Sequence, residues 1–194
     1  MDTEDYWKAK WENRESEAVN NFARRCFSWI KQDHATLLDL GCGDGRDSIY
    51  FAGKGLKVTA VDFSESGIAR LKERISLSGM DNIQAIQKDI RKIRLKDNSF
   101  DIIYAHLSLH YFDDETTARL FGMIYRILNH RGQLFVKCKS TDDALYGKGE
   151  NVGKEMYLKG HLRHFFTKRY MEEKLERFRI LRIRKTAIER LSSR

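Results

Sequence analysis

Residues 37–68 read LLDLGCGDGRDSIYFAGKGLKVTAVDFSESGI, and this stretch decides the fold. An apolar run (37–40) ends in three glycines at alternate positions, Gly41, Gly43 and Gly45. A helical pattern follows from Asp44 to Ala52 and stops at Gly53 and Gly55. A second apolar, β-branched run, Leu56 to Val61, ends at Asp62. Strand, glycine turn, helix, strand and terminal acid form a βαβ unit with a ligand site at its first turn.

Outward from that unit the alternation continues. Ser64 caps a helix that places Gly67 at its third position and runs to about Ser78. Strands are expected at Asn82–Gln87, Phe100–Tyr104 and Gln133–Cys138, with a helix at Asp113–Leu128. Strands alternating with helices predict an α/β, Rossmann-like, doubly wound and mostly parallel sheet. Upstream, Thr3 to about Lys31 reads as one helical segment, with Trp7 and Trp11 on one face. Downstream, residues 140–166 are polar and glycine-rich and read as a lid loop. A helix from Thr167 to about Glu176 and a strand around Phe178–Lys185 close the pattern, so the last strand of the sheet is short or missing.

The 194 residues suit a single domain, 1–194, with residues 1–31 as a helical cap. A chain of this length buries roughly 70% of its unfolded surface and folds without disulfides or metal. Cys26, Cys42 and Cys138 are odd in number and widely spaced, which fits a reducing, cytoplasmic setting and no metal site. No apolar run reaches the ~20 residues of a membrane span, and MDTEDYWKAKW does not read as a secretory signal. The net charge of +8 falls wholly in Lys159–Arg194, where 12 Lys and Arg face 4 Glu. That segment reads foremost as a solvated edge. An anion pocket or a nucleic-acid surface are the other readings, the last disfavoured because aromatics are not interleaved with the charges.

The glycine turn does not fit a dinucleotide site. G-x-G-x-x-G would need a third glycine where Arg46 or Ser48 stands. Asp39-Leu-Gly41-Cys42-Gly43-Asp-Gly45 instead resembles the first motif of class I S-adenosylmethionine-dependent methyltransferases, over about Leu37–Phe135. The resemblance implies S-adenosyl-L-methionine as cofactor and S-adenosyl-L-homocysteine as product. It implies that Asp39 takes the methionine ammonium, that Gly41, Cys42, Gly43 and Gly45 give bare backbone to the ligand, and that Asp62 takes the ribose hydroxyls. Phe63 and Ser64 would lie near the adenine side, and Asp89 with Ile90 would meet the adenine. Asp44 and Asp47 read as helix-start residues. Residues after the fourth strand line the methyl-transfer site in this family. His106 and Leu107 are therefore expected at the cofactor, and His110 and Tyr111 are the catalytic candidates. His110 competes as a base with a plain packing role.

Tyr6-Trp7-Lys-Ala-Lys-Trp11 resembles the opening helix of the thiopurine and tellurite-resistance methyltransferases. That resemblance implies Trp11 on the cofactor and Trp7 packing or lining the acceptor pocket; the glycine-rich loop and Gly160-His-Leu-Arg163-His164-Phe-Phe also look like small-molecule members of the group, so that Arg163 and His164 either meet the acceptor, beside His110, or fix the loop. The acceptor expected is a small molecule such as a thiol, a chalcogen oxyanion or another soft or acidic group. Methyl transfer is an in-line displacement in which the protein mainly orients and desolvates. The expected partner is that small molecule, with no membrane and with a monomeric or homodimeric chain. The alternatives are an RNA methyltransferase using the basic C-terminal segment, and a protein that binds the cofactor without turnover. DNA methyltransferase motifs need proline, and the chain has none. His130-Arg131-Gly132 stands where the family often has Pro-Gly-Gly.

Overall fold

The computed structural model describes residues 3–12 and 18–186. Five strands, β1 (Thr36–Leu40), β2 (Lys57–Asp62), β3 (Ile83–Gln87), β4 (Phe100–His106) and β5 (Leu128–Lys137), form one sheet in the order β3-β2-β1-β4-β5. Every pairing in it is parallel. The strand alternation sorts side chains into two cores. Leu37, Val58, Ala60, Ile102 and Tyr104 meet α2 (Asn21–Phe27), α3 (Arg46–Gly53) and α4 (Glu65–Ser78) on one face. Leu38, Leu40, Val61, Ile103 and Ala105 meet α5 (Asp114–Ile127) and Leu175, at the end of α6 (Lys168–Lys174), on the other. Burial on both faces explains the near-continuous apolar runs of β1, β2 and β4. The strand order reverses at β1, between β2 and β4, and the crevice beyond its carboxyl end is the ligand position of such sheets.

Four expectations are corrected. The N-terminal segment is not one helix: α1 (Thr3–Glu12) and α2 are separate. The stretch 13–17 lies outside the described residues, and residues 18–20 are not helical. Asn20 explains the restart, since its side chain accepts from the Ala23 N–H at 2.9 Å and caps α2. Only α1 lies over the crevice; α2 packs on α3.

Residues 140–166 are not a structureless loop. They contain an antiparallel sheet of β6 (Glu150–Gly153), β7 (Met156–Lys159) and β8 (His161–His164). Finally, Arg179–Lys185 is not a strand, so among the described residues the parallel sheet ends at β5. Its alternating pattern serves another contact. The guanidinium carbons of Arg177 and Arg182 lie 3.9 and 4.4 Å from the ring centres of Tyr125 and Trp29, and Lys185 pairs with Asp142 at 2.6 Å. The TAIERLSSR end, beyond Thr186, lies outside the described residues. No described helix is long and apolar enough to cross a membrane.

Candidate active site

A cavity of about 840 Å³ opens at the carboxyl ends of β1, β2 and β4, under α1. That lies at the upper end of the size range of small-molecule sites. Its floor is acidic. Asp39, next to last in β1, is 2% exposed and accepts from the Ser48 hydroxyl at 2.6 Å. Burial, with the charges of Asp47 and Asp62, pushes its carboxyl up to about 8 despite the Ser48 bond. Asp62 ends β2, where Oδ2 accepts from the Gly43 N–H and Oδ1 from the Ser64 N–H, both at 2.8 Å. Burial nonetheless raises it. Asp47, on α3, is raised by burial against the Tyr104 and Asn20 donors and the Arg46 charge.

The glycine turn has a different physical basis from the one expected. Gly41 and Gly43 have φ of +78° and +57°, a region that favours glycine. A Cβ at Gly41 would lie 2.3 Å from Ser108 Cβ, and one at Gly43 would lie 2.3 Å from Trp11 Cζ2. At Gly45 it would meet Leu71 at 2.2 Å. The space freed by the missing side chains is thus filled by the protein itself. Gly41 and Cys42 still line the cavity; Gly43 lies beneath Trp11, and Gly45 is a packing residue outside the lining. Burial lifts the Cys42 thiol well above its ordinary value, which keeps it neutral.

Trp11 lines the cavity and is held from outside, its carbonyl accepting from the Arg70 guanidinium. Lys8 O accepts from the Ser66 hydroxyl at 3.3 Å, tying α1 to the start of α4. Phe63, Asp89, Ile90, His106 and Leu107 all line the cavity. Ser64 does not: it caps α4, its hydroxyl accepting from the Gly67 N–H at 3.3 Å. Asp89 is engaged by Arg91, whose Nε lies 3.0 and 2.9 Å from its two oxygens. Burial would raise Asp89, but Arg91 holds it below the usual carboxylate range.

The acceptor candidates separate. Trp7 and Tyr111 line the cavity edge to face, with ring centres 5.2 Å apart. Burial moves the Tyr111 phenol well up, which keeps it protonated. His110 sits on the short 3₁₀ turn Leu109–Tyr111, fully buried against the Tyr111 ring, and is not in the lining. Both its ring nitrogens are without hydrogen-bond partners among the described residues, and burial holds it well below the ordinary histidine value. Arg163 and His164 are also outside the lining. Arg163 donates to the Lys159 carbonyl at 3.0 Å, and His164 packs on Phe166 and Tyr170. β8 instead sends Leu162 to the cavity. His161, buried between Tyr6 and Tyr111, is depressed to about 4 by its burial. Among the lining residues missed in the sequence are Lys10, Asp44, Arg46, Asp47 and Arg91. The Asp47 position at a helix start was visible; its partners 27 and 57 residues away were not.

Residues 37–132 match a family model described as a methyltransferase domain. The chain carries a class I methyltransferase domain. TehB of Haemophilus influenzae, named for S-adenosyl-L-methionine-dependent methyltransferase activity, is 32% identical over 108 residues, which is 55% of this chain and 37% of that one. Phosphoethanolamine N-methyltransferase 1 of Triticum aestivum is 33% identical over 104 residues, 53% of this chain and 21% of that one. The matched stretch spans less than half the length of these curated relatives. Among solved structures, Haemophilus influenzae TehB aligns with a TM-score of 0.70 at 22% identity, covering 94% of this chain and 58% of that one. A SAM-dependent methyltransferase from Aquifex aeolicus aligns at 0.66 and 18% identity, covering 88% and 86%. At these identities the structures share the methyltransferase fold.

S-adenosylmethionine is the cofactor of this domain, and the acidic floor fits it. The ligand carries an ammonium and a sulfonium, which neutralise buried carboxylates that burial and mutual repulsion otherwise drive toward protonation. A pyrophosphate would add negative charge to the same floor. Asp62 has given two lone pairs to backbone N–H groups and, as a carboxylate, keeps others for ribose hydroxyls.

Proposed function

We propose that the protein transfers a methyl group from S-adenosylmethionine to a small-molecule acceptor bearing a thiol, a chalcogen oxyanion or another soft or acidic atom. The observation carrying this reading is the acidic floor of Asp39, Asp47 and Asp62 facing one large cavity roofed by Trp11 and edged by Trp7 and Tyr111. In this reading Asp39 holds the methionine ammonium, Asp62 the ribose, and Phe63, Asp89 and Ile90 the adenine side. Gly41, Cys42 and Leu107 close on the ligand from below, and Trp7 and Tyr111 flank the acceptor. The cofactor supplies the electrophilic methyl; the chain excludes water and aligns the two reactants. His110, Arg163 and His164 support this wall from behind.

Adenosylhomocysteine release tests it, with tellurite, selenite, a thiopurine, aliphatic thiols, carboxylates and bulk RNA as acceptors. Asp62→Ala serves as the blank. Turnover on a thiol or chalcogen oxyanion is the expected result. Turnover on RNA alone overturns the small-molecule reading and makes the basic C-terminal segment the substrate surface. Adenosylhomocysteine binding with no turnover on the panel would favour a cofactor-binding protein without catalysis.

A further inference from the structure

Trp7, Lys10 and Trp11 stand at helical spacing on α1, share one of its faces and all line the cavity. The Lys10 ammonium lies 4.1 Å from the centre of the Trp7 ring and 5.1 Å from that of Trp11. Attraction to the two indoles holds this cation at the cavity surface instead of out in water. Other cations of the lining stand elsewhere. Arg46 lies 3.8 Å from Asp47, and Arg91 pairs with Asp89 at 2.6 Å on the adenine side.

The wall behind Trp7 has the same sign. His161 packs on Trp7 and Tyr111 and is lowered by burial, then by the charges of Arg163 and Lys10. His110, against Tyr111, is lowered by burial, then by Lys139 and Arg163. Asp143 is an acid that acts on Tyr111, and Lys139 already pairs with it at 2.6 Å. Lys10 also reaches toward the cofactor side: burial raises Asp62, and backbone N–H groups and the Lys10 charge oppose the rise. The cavity is thus divided into an acidic floor of Asp39, Asp47 and Asp62 and a basic end at Trp7 and Tyr111.

We infer that Lys10 selects an acceptor that carries a negative charge, and that this end of the cavity disfavours amines and other cations. The inference rests on the methyl-transfer reading and narrows its acceptor class. A cationic acceptor would meet the Lys10 ammonium and the sulfonium of the cofactor together, two like charges in a cleft with low-dielectric walls. An anion meets two opposite ones.

A matched pair of ligands tests this without turnover. Protein saturated with adenosylhomocysteine is titrated by calorimetry with phenylacetate and with phenethylamine, which share an aromatic ring and differ in charge. The ring suits the wall of Trp7, Tyr111 and Leu162. Wild type should bind phenylacetate about tenfold more tightly than phenethylamine. Lys10→Met, which keeps an apolar stem over the indoles, should bring the two affinities together. Lys10→Glu should reverse the preference, and Lys10→Arg should keep it. Each preference is a ratio within one variant, so a general loss of folded protein cancels. Phenylacetate bound no better than phenethylamine by wild type, or not at all, overturns the inference. So does a preference that survives in Lys10→Met. A Lys10→Met variant that changes adenosylhomocysteine affinity alone would assign the lysine to the cofactor through Asp62 and overturn its role in acceptor choice. If no acceptor of the panel is turned over, the methyl-transfer reading fails, while the binding ratios still decide whether Lys10 selects by charge.

Discussion

At Asp39 a single carboxylate couples ligand binding to stability. In the ligand-free fold it holds its proton up to about 8, whereas an unfolded aspartate releases it near 3.9. Between those values the native state binds the extra proton, so this group's contribution to stability is full below about pH 4 and is lost as pH rises through 8. Asp39→Asn keeps an oxygen for the Ser48 hydroxyl and removes the titration. Thermal melts at pH 8.5 should therefore show the ligand-free variant melting above wild type. Adenosylhomocysteine should invert the order, because on the proposed assignment the variant loses a charge-assisted bond worth about 1.5–3 kcal/mol, or 10- to 100-fold in Kd. A variant that is no more stable than wild type at that pH would contradict the raised carboxyl. Asp39 itself was legible in the sequence, since it stands two residues before the glycine turn. The packing role of Gly45 and the separation of Arg163 and His164 from the cavity were not, because both depend on side chains that only the tertiary fold brings near.

At the level of elements, the glycine turn, α1 and α4 form one interlocked corner. Gly67 sits at the third position of α4, and a Cβ there would lie 2.9 Å from the Gly43 carbonyl oxygen and 3.3 Å from Trp11 Cδ1. Replacing a helical glycine by alanine ordinarily stabilises a helix by about 1 kcal/mol. Here the opposing atom is backbone, so Gly67→Ala should lower the melting temperature and weaken adenosylhomocysteine binding by pushing α4 from the turn. A chemical-denaturation curve and a calorimetric titration read the two effects; a variant more stable than wild type would show that the corner is loose. The five parallel strands and the helices between them were legible because each apolar run is bounded by glycine or a capping residue. The start of α2 was hidden, since Asn20 acts as a cap only in combination with the Ala23 N–H, and its second role, on Asp47, spans 27 residues. The sheet of β6, β7 and β8 was hidden by its composition: strands of four residues with glycines at their turns carry almost no periodic signal.

Over the whole molecule, the described cations of the charge excess, from Lys159 to Lys185, lie outside the candidate site, and their attachments account for part of it. The segment from Arg177 to Lys185 crosses from α5 to the neighbourhood of α2, holding to Tyr125, Trp29 and Asp142 through cations. A sequence of alternating apolar and basic residues reads as an edge strand; the structure uses the same residues as a strap stacked on aromatic rings. Arg177 and Arg182 therefore have ring partners in the fold itself, which competes with stacking on nucleic-acid bases. Cation–π contacts at exposed sites are worth about 0.5–1 kcal/mol each. The double variant Arg177→Ala, Arg182→Ala should lose about 1–2 kcal/mol of stability in urea, and the emission of Trp29 should shift as the guanidinium leaves its face. Subtracting the spectrum of Trp29→Phe isolates that signal from Trp7 and Trp11. Adenosylhomocysteine affinity should stay within about twofold, because neither arginine lines the cavity. If the double variant instead keeps its stability but loses binding to RNA, with a flattened dependence of affinity on salt, these arginines serve phosphate contacts and the strap is not their role.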